Sequence, residues 1–415
     1  MSEEKQSLLT PVMRWFLFSM VLANIASHMY VILLPVYLKE LGASVTQVGL
    51  VFTLSSLVPL ALQIFGGWIS DSIGRLRAIA IGSIGGVVGQ TMMLFSPTWQ
   101  WMLVAISVAS IARAFIAPSF GAFIAEQSSE ETRGRVYGLS ETIFQVVSVI
   151  GPPLGGFLAF RYGFRAMLLV STILYTVAAA LRIWMARTAR FSGEAQPRKL
   201  SFRSFRTQLG IMIGLILSGG LVTWIFITDG VGDIAWQLSN QLFPLYLNEE
   251  VGLTVVQIGI IEAVFGIAMM SATLPSGWLS DKIGERITIM LGFFFVFLGF
   301  VVFLQSSDII GITIAWAVFG LGIGGLVPPY ESIVSKAFPE NMRGTAFGLF
   351  RTSLGVISLP SPWIGAQLWE RFNPKVPFQI TAISTLITIV IVWFKFKLPG
   401  NGEAVPDGET AVQEN

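Results

Sequence analysis

Eight ionisable side chains fall within stretches that are otherwise strongly apolar: the acids Glu141, Asp229, Asp233, Glu262 and Glu331, the bases Arg113 and Arg351, and His28, the single histidine. A charge in such surroundings is expensive, and it normally faces a partner or a water-filled cavity. The acids outnumber the fixed positive charges, and a carboxylate without a cationic partner takes up a proton or holds a cation. The chemistry available is proton uptake and release, binding of a cationic compound, or competition between the two. Asp229 and Asp233 stand one helical turn apart, and Trp236 and Asn240 continue their stripe. Nearby Phe265, Met269 and Met270 would add an adaptable apolar wall.

Other chemistries lack their residues. No Gly-rich Lys-Ser/Thr loop for phosphate and no soluble nucleotide domain can be read in the chain, so drive by ATP is not expected. One histidine and no cysteine leave no transition-metal cluster, and no cofactor is expected. Outside the apolar stretches no nucleophile stands beside a general base, so the chain does not read as an enzyme. Nothing points to nucleic acid.

The elements that must position these groups follow from composition. Of 415 residues 53% are hydrophobic and 12% charged, and the mean hydropathy is +0.72, far outside the range of a water-soluble globule. The expected fold is an all-α integral membrane protein with the lipid bilayer as its main contact. Twelve apolar segments are each long enough to cross it: 12–38, 44–70, 77–96, 99–126, 133–160, 165–187, 209–247, 254–280, 286–306, 309–337, 342–369 and 376–398. The seventh is longer than a crossing needs, which starts its spanning part near Leu221, after a break at Gly219-Gly220. MSEEKQ at the start is not followed by a short apolar core and cleavage site, so no removable signal peptide is read.

The second half repeats the first. GGWISDSIGRLR at 66–77 returns as SGWLSDKIGER at 276–286, 210 residues on, and the register reaches from Gln47 with Gln257 to Arg133-Gly134 with Arg343-Gly344. Slipped by one residue, Pro35, Tyr37 and Leu38 fall on Pro244, Tyr246 and Leu247. The same slip sets Asn24 opposite Asp233 and His28 opposite Gln237, so the first and seventh spans each carry a polar stripe at mid-membrane. Residues 1–187 and 209–398 are therefore expected to be two six-helix bundles, joined by a basic linker at 188–208 and followed by an acidic, disordered tail at 399–415. The linker bases belong on the cytoplasmic face, which places both termini there. Lys39, Arg161, Arg165, Arg371 and Lys375 then lie at the outer face, Arg113 and Arg351 in the membrane, and every other base at the inner face. Glycines in the third span (Gly82, Gly85, Gly86, Gly89) and the tenth (Gly320, Gly322, Gly324, Gly325) would let helices approach closely.

The loop at 66–77, its weaker copy at 276–286 and the two halves with a basic linker between them resemble the major facilitator superfamily over essentially the whole chain. The resemblance implies two bundles that rock about a central site, in a protein expected to work as a monomer in the inner or plasma membrane. It implies that the loop is a latch. Gly67 allows a close helix contact and Gly74 a sharp turn, Asp71 sits at the N-terminus of the eleventh span near 341–345, and Arg75 meets an acid at the end of the fourth span, for which Glu126 is the candidate. Asp281 facing Arg133 would be the mirror contact. Ser72 and Leu76 depart from the family pattern, which commonly has bases there.

GPPLGG at 151–156 resembles, in part, the signature that the family associates with drug-proton antiporters: Gly151, Pro152, Gly155 and Gly156 match, while Val147 stands where a further glycine is usual. A kinked, glycine-lined helix can press closely on a neighbour. Arg113 matches the arginine of the family's drug-exporter motif, with Ala117 in place of its usual glycine, and would favour proton release by a neighbouring acid. The resemblance thus implies proton-driven export of small lipophilic or cationic compounds, with Asp233, Asp229 and Glu331 as the leading candidates for protonation. Glu331 and Arg351 could instead form an ion pair. A proton-coupled nutrient importer, a lipid flippase and a membrane sensor on the same fold remain alternatives.

Overall fold

The computed structural model describes residues 9–128, 130–188, 219–337 and 352–396, with 214, 216 and 217; the side chains of 61, 63–72, 118 and 130 lie outside that description. Among the described residues every regular element is helical, as a backbone without access to water requires. The first span is α1 (Pro11–Val31) and α2 (Leu34–Glu40), followed by α3 (Val45–Ile73), α4 (Arg75–Phe95), α5 (Trp99–Gln127), α6 (Glu130–Tyr162) and α7 (Phe164–Thr188). The second half has α8 (Leu221–Ser239), continued by short helical turns to Glu250, then α9 (Val255–Ile283), α10 (Glu285–Gln305), α11 (Ile309–Ala337), α12 (Ser361–Arg371) and α13 (Val376–Lys395). Nine helices among the described residues are long and apolar enough to cross a membrane. The other three expected spans correspond to α3, to the acid-bearing α8 and to the span ending in α12. The seventh span does start at Leu221, after Gly219 with φ +76°.

The chain forms two compact units. The first is Met1–Arg198 with Gln241–Gly266, and the second is Lys199–Asn240 with Ile267–Asn415. The first half of α9 thus belongs to the first unit. In that unit α1 packs on α6 and α7, and α4 on α5 and α7. Met13, Phe16, Leu17, Leu76, Phe123 and Met185 form a core in which Phe16 and Phe123 lie 4.5 Å apart. Three of the expected glycine contacts exist, at Gly82, Gly86 and Gly89. A methyl group on Gly89 would sit 2.5 Å from the Ala109 nitrogen, whereas one on Gly85 would meet nothing within 4 Å. In the second unit α10 packs on α11 and α13, and α8 on α12 and α13. Gly322 lies against Val296 and Gly324 against Met269, while Gly325 is looser.

The sequence repeat is realised contact by contact. Ser44 and Gln47 cap α3 through a 2.8 Å bond from the Ser44 nitrogen to the Gln47 side chain, and Thr254 and Gln257 cap α9 at the same distance. Gly74 and Gly284 open α4 and α10 with φ +91° and +88°, a region that only glycine enters freely. The Ser171 hydroxyl donates to the Ala26 carbonyl at 2.8 Å, and Thr381, its counterpart, donates to Ala235 at 2.6 Å.

Candidate functional site

In the second unit the acids of α8 are held from two neighbouring segments. The Tyr330 hydroxyl, on α11, donates to Asp229 Oδ1, with the Thr228 hydroxyl beside the same phenol. Ser358, in the helical segment 352–358, lies beside Asp233, while its hydroxyl donates to the Leu354 carbonyl of its own helix at 3.0 Å. Helical spacing puts the two carboxylates on one side of α8, and each is half-buried. Trp236 is half-buried in the next turn, and Asn240 ends the helix, its N–H bonded to the Trp236 carbonyl. Glu331 adjoins Tyr330 in sequence but is exposed. Arg351, its proposed ion-pair partner, lies outside the described residues. Pro328 and Pro329 sit inside α11 directly before this pair. The arrangement offers two carboxylates a turn apart, each beside a hydroxyl, with the Tyr330 phenol bonded directly to Asp229.

The first unit presents charges of both signs. Arg113 is exposed on α5, donates to Ser110 Oγ at 2.7 Å and lies near the buried Tyr30 and Tyr175. Asn24 donates to the Met20 carbonyl of its own helix at 2.9 Å. The His28 ring meets the edge of Phe144 at 5.5 Å. Glu141 is exposed on α6, and Glu262 is half-buried on the part of α9 that belongs to this unit.

One membrane charge escaped the sequence reading. Arg182, counted there with the inner-face bases, is buried in the bundle, 5% exposed. Its Nε donates to Ser19 Oγ at 3.3 Å and its NH1 to Ser83 Oγ at 3.1 Å, while the Tyr175 hydroxyl is a further partner. The two serines pass their own protons to Phe16 and Ile79 carbonyls, at 2.8 and 2.7 Å, which leaves their lone pairs for the guanidinium. The available signal was an arginine five residues inside the end of the span 165–187, deep enough to stay among the helices. Tyr330 and Ser358 were also missed, because polar neutral residues in membrane helices are common.

The glycines of 151–156 are used on two sides. A methyl group on Gly151 would strike His28, and one on Gly155 the Met29 carbonyl, both on α1. Gly156 lies in the same way against Val255, and Gly259 against Pro152, so α6 and the start of α9 sit backbone on backbone. In the second unit Gly365, the counterpart of Gly155, meets Leu238, the counterpart of Met29.

Of the latch residues, Arg75 Nε lies 3.1 Å from Glu126 Oε1. Its repeat counterpart joins Glu285 to Lys336, with Ser332 Oγ also donating to Glu285 at 3.1 Å. The same contact is thus made twice with the charges exchanged. Gly67 and Asp71 are in α3, but the Asp71 side chain and the start of the eleventh span lie outside the described residues. Asp281 is exposed and belongs to the second unit; Arg133, half-buried with its Nε unbonded, belongs to the first.

Comparison with known proteins supplies the context. The sequence profile of the Major Facilitator Superfamily matches residues 16–190 and 225–413. A protein of Lactococcus lactis named multi-drug resistance efflux pump PmrA homolog is 26% identical over 375 residues, covering 88% of this chain and 89% of its own. The multidrug resistance protein MdtG of Dickeya zeae is 24% identical over 387 residues, covering 91% and 92%. Among solved structures, a mutant of the nucleoside transporter NupG superposes with a TM-score of 0.76 at 14% identity, covering 92% of this chain and 99% of that one. At that identity the likeness speaks for the fold.

Proposed function

Because the chain belongs to the major facilitator superfamily and is a membrane transporter rather than an enzyme, we propose that it exports small lipophilic, in part cationic, compounds in exchange for protons, by alternating access between two six-helix halves. The single observation that carries the coupling is the acid pair on α8, with Asp229 bonded to Tyr330 and Asp233 one turn further on beside Ser358. A proton or a cationic substrate arriving at either acid competes for the same negative charge, which is how a carboxylate exchanges one cargo for the other. Export is favoured over import by the named functions of the relatives that align along nearly the whole chain and by the glycine contacts of α6, which suit a tightly sealed helix pair. In this reading the protein works as a monomer in the cell membrane with both termini cytoplasmic, and Arg75–Glu126 and Glu285–Lys336 brace the inner loops of its halves.

The test is accumulation of a fluorescent lipophilic cation by proteoliposomes under an imposed pH gradient. Wild type should accumulate dye only with the gradient, and Asp233→Asn or Asp229→Asn should abolish the dependence. Dye movement that ignores the gradient across a panel of such cations would sink the antiport reading.

A further inference from the structure

The turn joining α6 to α7 carries two bases, Arg161 and Arg165, on either side of Gly163, and its repeat counterpart carries Arg371 and Lys375. In the proposed topology these turns face outward, where bases are disfavoured and need a local reason. Lys375 has one: its Nζ donates to the Leu304 carbonyl at the end of α10, 3.1 Å away. Arg165 does not repeat that contact. It lines a cleft of about 370 Å³ between the end of α4 and the start of α7, whose other walls are Leu94, Phe95, Ala166 and Leu169. Leu94 is the counterpart of Leu304, so the position where a lysine bonds a helix end in one bundle holds an arginine beside a cleft in the other.

The walls and the charge describe one kind of occupant. Phe95 is 73% exposed and Leu169 47%, and exposed apolar side chains continue along both helices at Val88 and Ile173, so the cleft opens on the surface that meets lipid. Among the lining residues its single polar side chain is a guanidinium. Among the described residues no carboxylate pairs with it, and the neighbouring Arg161 lies 5.9 Å over the Tyr162 ring and adds a second positive charge. An apolar trough ending in a cation at the depth of the headgroups suits an amphiphile with an anionic head. A guanidinium binds a phosphate through paired charge-assisted hydrogen bonds.

We propose that this cleft seats one phospholipid of the outer leaflet, with an acyl chain against Phe95 and Leu169 and its phosphate on Arg165. This site is independent of the acids on α8 and of any transported compound, and only its assignment to the outer leaflet depends on the topology proposed above.

Native mass spectrometry of the delipidated full-length transporter, titrated in detergent with phosphatidylglycerol, tests it. Wild type should retain one lipid more tightly than the rest, and Arg165→Gln should weaken that first binding about tenfold, as expected for loss of a charge-assisted contact. Leu169→Trp, which fills the trough and keeps the arginine, should do the same, whereas Arg371→Gln on the opposite bundle should leave it unchanged. Diacylglycerol, which lacks the phosphate, and inorganic phosphate, which lacks the chains, should neither bind with that affinity nor displace the lipid. Equal retention by wild type and both cleft variants would overturn the proposal, and so would competition by inorganic phosphate alone, which would make the site one for a free anion. Should Arg165→Gln not fold, Leu169→Trp and the two partial ligands still decide the matter.

Discussion

The Arg75–Glu126 and Glu285–Lys336 ion pairs should differ in stability, and the reason is where each charge stands on its helix. Arg75 is the first residue of α4 and Glu126 lies in the last turn of α5; Glu285 is the first residue of α10 and Lys336 lies in the last turn of α11. A helix is positive at its N-terminus and negative at its C-terminus, so both charges of the first pair oppose their helix dipoles and both of the second complement them. Exchanging the first pair, Arg75→Glu with Glu126→Lys, keeps the ion pair and reverses both dipole terms. Each reversal shifts an interaction of about 0.3 to 1 kcal/mol from unfavourable to favourable. With the Glu126 side chain 54% exposed, screening reduces the total to about 1 to 2 kcal/mol. Thermal unfolding of the purified protein, followed by tryptophan fluorescence, should show the exchanged pair melting a degree or more above wild type, with each single reversal falling below the double variant. A double exchange that melts as low as the single reversals would refute the reasoning, since the polarity would then be set by neighbours of Arg75 and not by the helix ends.

Three further outcomes follow from contacts described above. Gly155→Val must displace the Met29 carbonyl and should cost at least about 1 to 3 kcal/mol, seen as loss of folded protein on gel filtration, while Gly85→Ala, with nothing within 4 Å, should be silent. Ser83→Val should destabilise more than Arg182→Met in the same melting assay, because it strands a guanidinium N–H, at about 1 to 3 kcal/mol, whereas the methionine leaves both serines bonded to their own helices; the opposite ranking would show that the charge itself is required. Tyr330→Phe should slow gradient-dependent dye accumulation about fivefold with unchanged melting, the value of one hydrogen bond to Asp229; an unchanged rate would remove the phenol from the site.

The fold was legible because its two strongest constraints are written locally. Length and apolarity mark the helices, and a glycine forced to positive φ marks the same turn twice, at Gly74 and Gly284. The Arg75–Glu126 contact was expected from the family resemblance, and the pairing of α4 with α5 brings the start of one beside the end of the other. What could not be read was partner choice across the bundle. Nothing in the run around Arg182 says that Ser19, 163 positions earlier, lends it a lone pair, or that Tyr330 reaches Asp229 from 101 positions away. Serine and tyrosine on a membrane helix usually satisfy their own backbone or the interface, so their types alone do not distinguish a network from a surface.

The repeat separates framework from chemistry more sharply than any single residue. Where both halves keep a side chain or its equivalent, as at Ser171 and Thr381 or Gly155 and Gly365, the contact joins backbones and would serve any cargo. Where the halves diverge, a charged or polar group stands against the common frame. Arg182 stands where the second half has the buried Val392, Asp229 where the first half has the buried Met20, and Tyr330 where it has Phe120. Each of these exchanges puts a costly group at a position that the fold demonstrably fills with an apolar one. The same twice-used backbone thus holds a buried guanidinium on two serine hydroxyls in one unit and a carboxylate on a phenol in the other.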